Sequence, residues 1–439
     1  MKPFALALLS IWLALPASAQ TVDALSRVEI NTFTASNANR TLALCLLADT
    51  QNAVSSDNAE QTPNAATDCS LASSCTGASC IASPYCSGSW HNTGRILMQN
   101  LAYELTGQWE KIDYSAIDGN DNVRSKKPHP LDNSRCDAIL SLGDMTDVPS
   151  GTDLGYGDYE EASAATLTSL GYDYQHETNK AFWRIIDESG IPYVLNQGNH
   201  DPWVWWADLF TTFNIEGKSY FHEREPTFGL SYAVLIPTRL GKPLCVISYA
   251  FSDQYHDTDA YPTRESDNYA WVASVTGCGG NYPTVFVGHY ALVASGVPGN
   301  SGAAPAFAQL TGGYYALPGV AGASEIFMGA GGHDYPVATK SHFTGLFGAD
   351  ADALVYTFMS NWQETNRHDS NDSGLGVTTS DGNGGAYTVV MIDANASRIC
   401  GHDWSPYWQA RSSRANGQNH GAEQMSSICF DFNFDARFP

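Results

Sequence analysis

Residues 191–201 read IPYVLNQGNHD: an apolar run, a glycine, then Asn199, His200 and Asp201 in succession. The short run of branched and aromatic side chains, entered after Gly190, has the pattern of a strand buried on both faces. The polar triplet falls just past its end, where open α/β sheets build their sites. Four more strings repeat the arrangement along the chain: Asp49 in LALCLLADTQ (42–51), GDMTD (143–147), GHY (288–290) and GGHDY (331–335). Each carries an oxygen or nitrogen metal ligand at the exit of an apolar run, so a single metal-bearing crevice is the economical expectation.

Working outward, TLALCLLA (41–48) and DAILSL (137–142) read as strands, with a helix over 93–107 between them. A helical pattern over 159–190 places Phe182, Trp183, Ile185 and Ile186 together and stops at Gly190. Strand, helix, strand predicts parallel pairing. Further strands are expected at 230–236, 244–250, 284–288 and 325–329, with a helix near 264–275. The stretches 353–359 and 386–393 read as late strands closing a second sheet. Gly-, Ala-, Ser- and Asn-rich segments at 296–322 and 369–385 read as loops.

A chain of 439 residues can bury a sizeable core. Residues 1–20 read as a secretory signal: Lys2 precedes FALALLSIWLAL, and Ala17, Ser18 and Ala19 form a small-residue cleavage pattern. The body is expected over 21–400, with a cysteine-bearing insertion at 52–92, and 401–439 as a tail laid on it and tied by Cys400 and Cys429. Ten cysteines suit a periplasmic or extracellular compartment. Cys69, Cys75, Cys80 and Cys86 suit disulfides better than a zinc knot, because they lack close CxxC pairs. Cys45, inside an apolar strand, reads as a free core thiol. A formal charge of -24 disfavours nucleic acid and anionic membranes as partners. Bound cations would reverse the field locally, which keeps an anionic substrate open.

The ordered set DTQ, GDMTD, GNHD, GHY and GGHDY resembles the calcineurin-like metallophosphoesterases, whose pattern runs DxH, GDxxD, GNHD or GNHE, a later His, and GHxH. The resemblance spans roughly 41–395, and GNHD is its one full literal match of any specificity. It implies an α/β fold of two packed mixed β-sheets flanked by helices. It also implies hydrolysis of phosphate mono- or diesters by metal-activated water. On that reading Asp49, Asp144, Asn199, His289 and His333 are ligands with Asp144 bridging, and His200 contacts the scissile phosphate or leaving oxygen. His200 next to Asp201 reads as an imidazole and carboxylate pair, so both are catalytic candidates.

Two positions depart from the family pattern: Gln51 stands for the first histidine and Tyr335 for the last. Both belong to one metal position, leaving an oxygen-rich set of Asp49, Gln51, Asp144 and Asp334 or Tyr335. Such a set suits manganese, magnesium, calcium or ferric iron better than zinc, and one metal or two unequal ones are expected. Val148 and Pro149 follow GDMTD where the protein-phosphatase branch has Arg and Gly, which points to a small-molecule phosphate ester. His91 reads as a helix cap or a replacement ligand, and His402 as a tail histidine. Trp203, Trp205 and Trp206 read as a substrate wall or as local core. The rival functions are a non-catalytic metal-binding protein of the same fold and a secreted nuclease.

Overall fold

A strand with no polar face has to lie inside its sheet, and TLALCLL does. In the computed structural model Thr41–Leu47 lies between an antiparallel and a parallel neighbour, with six of its seven residues buried. The structure describes residues 40–48, 50, 93–112, 135–146, 148, 163–169, 172–226, 229–250, 264–289, 291, 325–332, 340–343, 355–360, 387–404 and 427–439. Within these, the elements begin with β1 (Thr41–Leu47), α1 (Thr93–Leu105), β2 (Ala138–Ser141), α2 (Ala164–Ser169), α3 (Asp173–Glu188), β3 (Tyr193–Val194) and α4 (Trp203–Thr212). They continue with β4 (Phe221–Arg224), β5 (Tyr232–Ile236), β6 (Leu244–Tyr249), α5 (Arg264–Val275), β7 (Thr284–Gly288) and β8 (Ile326–Gly331). The last are β9 (Lys340–Phe343), β10 (Val355–Met359), β11 (Tyr387–Asp393), β12 (Arg398–Trp404), β13 (Ser427–Asp431) and α6 (Phe434–Arg437).

They form two mixed sheets, ordered β13-β12-β11-β1-β2-β3 and β4-β5-β6-β7-β8-β10-β9. β1, β2 and β3 run parallel in the first, as do β6, β7, β8 and β10 in the second. One apolar cluster joins the inner faces, with Leu44 and Leu46 of β1, Val390 of β11, Val246 of β6, Val287 of β7 and Phe358 of β10 in it. Alternation divides the second sheet's strands. Tyr232, Val234 and Ile236 of β5 face that shared core, while Ala233 and Leu235 join Trp271, Val272 and Val275 of α5. α3 buries Phe182, Trp183 and Ile186, and Trp183 stacks on Tyr193 of β3 at 5.4 Å.

The architecture is therefore α/β with two packed mixed sheets and helices. Two expectations need correction. Residues 355–359 and 387–393 do not close one sheet together: β10 joins the second sheet and β11 the first, pairing Thr41 with Asp393. Apolar runs report burial and carry no record of the partner strand. Cys45 is not a free thiol; it is bonded to Cys136 beside the start of β2. Cys245–Cys278 is a further bridge, and the expected Cys400–Cys429 pair links β12 to β13. β12 spans residue 400, and β13 is an edge strand of the first sheet. Phe432, Phe434 and Phe438 pack on Phe327 of β8. Among the described residues no helix is long and apolar enough to cross a membrane.

Candidate metal centre

β2 and β3 leave their sheet side by side, and the loops that follow touch backbone to backbone. Gly143 takes φ 98° and Asp144 φ 54°, so Asp144 is a non-glycine residue in the left-handed region. Such a conformation costs of order 1–3 kcal/mol and persists only where surroundings over-determine it. The glycines make the approach possible. A Cβ at Gly143 would lie 2.7 Å from His289 Nδ1, and one at Gly198 would lie 2.1 Å from Asp144 Oδ1 and 2.3 Å from its N. His289 enters from the exit of β7 in the opposing sheet, so the centre sits where the two sheets meet.

His289 is fully buried, and its Nδ1 lies 2.8 Å from Leu142 O. A carbonyl only accepts, so Nδ1 carries the proton and donates. In neutral imidazole Nε2 then presents a lone pair. That lone pair faces Asn199 Oδ1 at 3.0 Å and Asp144 Oδ2 at 3.1 Å. Three acceptors turned toward one another repel unless a cation lies among them, either a metal ion or a second proton on the ring. The donor set fits a metal: one carboxylate oxygen, one amide oxygen, and an imidazole whose far nitrogen is anchored on a backbone carbonyl, as ligating histidines are. Among the described residues no group of three His, Cys, Asp or Glu side chains surrounds a common point, so the described part of the set depends on the amide of Asn199.

The geometry gives Asp201 a different task from the imidazole pairing expected of it. Its Oδ1 accepts from the amides of Met145 at 2.9 Å and Thr146 at 2.8 Å and from the Thr146 hydroxyl at 2.9 Å. Its Oδ2 accepts from Gly198 N at 2.9 Å. The arrangement has a local cause: Asp201 N also donates to Gly198 O at 3.3 Å, so the GNHD turn folds Asp201 back on its own start. Burial, then the nearby Asp144 charge, pushes the Asp201 carboxyl up to about 6, against hydrogen bonds from Gly198 and Thr146 that lower it. His200 is half-buried; its backbone N–H donates to Asp144 Oδ1 at 2.8 Å, and its carbonyl lies 2.8 Å from Thr146 Oγ1, so it shares that hydroxyl's single proton with Asp201 Oδ1.

Asp144, Asn199, His200, Asp201 and His289 are thus brought together. Asp49, Gln51, His91, Asp147, His333, Asp334 and Tyr335 lie outside the described residues, as do the signal at 1–20 and the four cysteines from Cys69 to Cys86. Thr50 Oγ1 lies 3.1 Å from Met145 Sδ, and Gly332 N donates to His289 O at 3.0 Å. His402 sits on β12, two positions from Cys400. Trp206 belongs to the main core, and Trp205 packs with Val148, Leu167 and Tyr172, so these two are local core.

Asn196 was missed by sequence reading. Fully buried at the end of β3, it donates from Nδ2 to Ser248 Oγ at 2.9 Å and Tyr249 O at 3.0 Å, pinning β3 to β6 beneath the centre. A polar residue closing an apolar run was the available signal. Neither protein-family models nor curated proteins include a match to this chain.

Proposed function

We propose that the protein is an exported metal-dependent phosphoesterase of the calcineurin-like kind, hydrolysing small-molecule phosphate mono- or diesters. The observation that carries the proposal is the convergence of Asp144 Oδ2 and Asn199 Oδ1 on Nε2 of His289. The order of motifs along the chain and the two-sheet α/β architecture support it, and Asp49 and His333 complete the ligand set on this reading. When bound, the cation supplies Lewis-acid charge and makes water acidic enough to attack phosphorus near neutral pH.

The chain's own residues do the rest. Leu142 O holds the His289 tautomer, and the amide of His200 fixes the Asp144 carboxylate so that Oδ2 faces the shared point. His200, held on that loop through its own backbone, stabilises charge on the phosphoryl oxygens or passes a proton to the leaving oxygen. Three disulfides among the described residues fit the oxidising compartment that export requires. The charge of -24 weighs against a nuclease.

Turnover of an aryl phosphate and an aryl phosphodiester, measured with manganese, zinc, iron, magnesium or calcium added back to stripped protein, tests the reading. Wild type is expected to require metal, and His200→Asn to keep it while losing a factor of about 10²–10⁴ in turnover. Metal bound with neither ester hydrolysed supports the non-catalytic binding protein that Gln51 and Tyr335 suggest.

A further inference from the structure

Two carboxylates of this molecule exchange backbone amides across one gap. Asp144 takes the N–H of His200 from the second loop, while Asp201 reaches back to take those of Met145 and Thr146 from the first. Asp201 also receives the Thr146 hydroxyl and the Gly198 amide. With four donors on its oxygens and 3% exposure, its carboxylate is committed to the protein. What it grips are the peptide units beside both oxygen donors of the centre, since Met145 follows Asp144 and Gly198 precedes Asn199.

We propose that Asp201 is a positioning residue that sets the affinity of the centre for its cation, by holding Asp144 in its left-handed conformation and Asn199 opposite it. The proposal rests on the metal reading above and deepens it. Supporting residues of this kind commonly change metal affinity 10- to 100-fold when altered. An asparagine in this place would keep the shape and offer an NH₂ where an oxygen now accepts, so one side of the grip would open on either Gly198 or the Met145 and Thr146 pair.

The test is calorimetric titration of metal-stripped full-length protein with Mn²⁺. Asp201→Asn is expected to bind 10- to 100-fold more weakly than wild type. Thr146→Val, which removes the hydroxyl that Asp201 shares with His200 O and spares the charge, is expected to show a smaller loss in the same direction and decides the matter if Asp201→Asn does not fold. Asp208→Asn, a carboxylate removed from α4 instead, is expected to match wild type. A purely structural role would lower the unfolding midpoint of stripped Asp201→Asn with its Mn²⁺ affinity within twofold of wild type, and that result overturns the proposal. Wild type without saturable Mn²⁺ binding overturns the metal centre and this inference together. Activity does not enter the measurement, so a metal-binding protein that hydrolyses no ester would refute the hydrolase reading while the affinity comparison still decides this one.

Discussion

Gly198 shows how a single hydrogen in place of a methyl group sustains the centre. Its missing side chain is the space that the Asp144 carboxylate and amide occupy. Gly198→Ala therefore forces the two loops apart, and about 1–3 kcal/mol of stability is expected to be lost from the stripped protein, read by urea unfolding, together with metal affinity. At this scale the grouping was legible because each residue follows an apolar run directly; that Asp144, Asn199 and His289 act as ligands is what the family resemblance implies. The task of Asp201 was not. Adjacency to His200 suggests a pair, and only the fold-back of the turn onto Gly198 shows that the carboxylate serves amides.

Among the elements, the junction of α3 and α4 has its own acid sensitivity. His176 of α3 stacks on Trp205 of α4 at 5.0 Å and bonds Asp208 Oδ2 through Nε2 at 2.8 Å. Lys180 lies 3.2 Å from the same oxygen and 3.4 Å from Glu177. Burial holds the His176 imidazole below its ordinary value despite the bond to Asp208. Just below about pH 6.5 the unfolded chain thus takes up a proton that the native ring resists, and stability falls as pH falls. Asp208, raised by burial but pulled below the usual carboxylate range by His176 and Lys180, contributes in the same sense at lower pH. His176→Phe keeps a ring against Trp205, so its thermal midpoint is expected to drop less than that of wild type between pH 7.5 and pH 5. Helix and strand positions in this region followed from periodicity, although the single helical stretch expected over 159–190 is two helices, α2 and α3, and the strand at 191–196 shrinks to Tyr193–Val194. Residues 195–198 leave the ladder to build the loop, and an apolar side chain does not reveal that its backbone has turned away.

For the whole molecule, fold class was legible because strand, helix, strand succession admits few arrangements; the sheet to which each late strand belongs was not, because long-range pairing has no local signature. The disulfides allow a test of packing at this scale. Cys45, Cys136, Cys245 and Cys278 are each fully buried, whereas Cys429 is exposed on the edge strand. Limited reductant under native conditions, followed by alkylation and mass analysis, is expected to label Cys400 and Cys429 first among the six described cysteines. The two buried bridges are expected to yield only as the body unfolds.

Strand β1, near the start, has β11 on one flank, more than three hundred positions downstream. During synthesis β1 can assemble with β2 and β3 early, but its other flank stays open until β11 has been made. A molecule wired this way is expected to complete its first sheet late and to fold slowly, leaving the open edge of β1 exposed to wrong partners in the meantime.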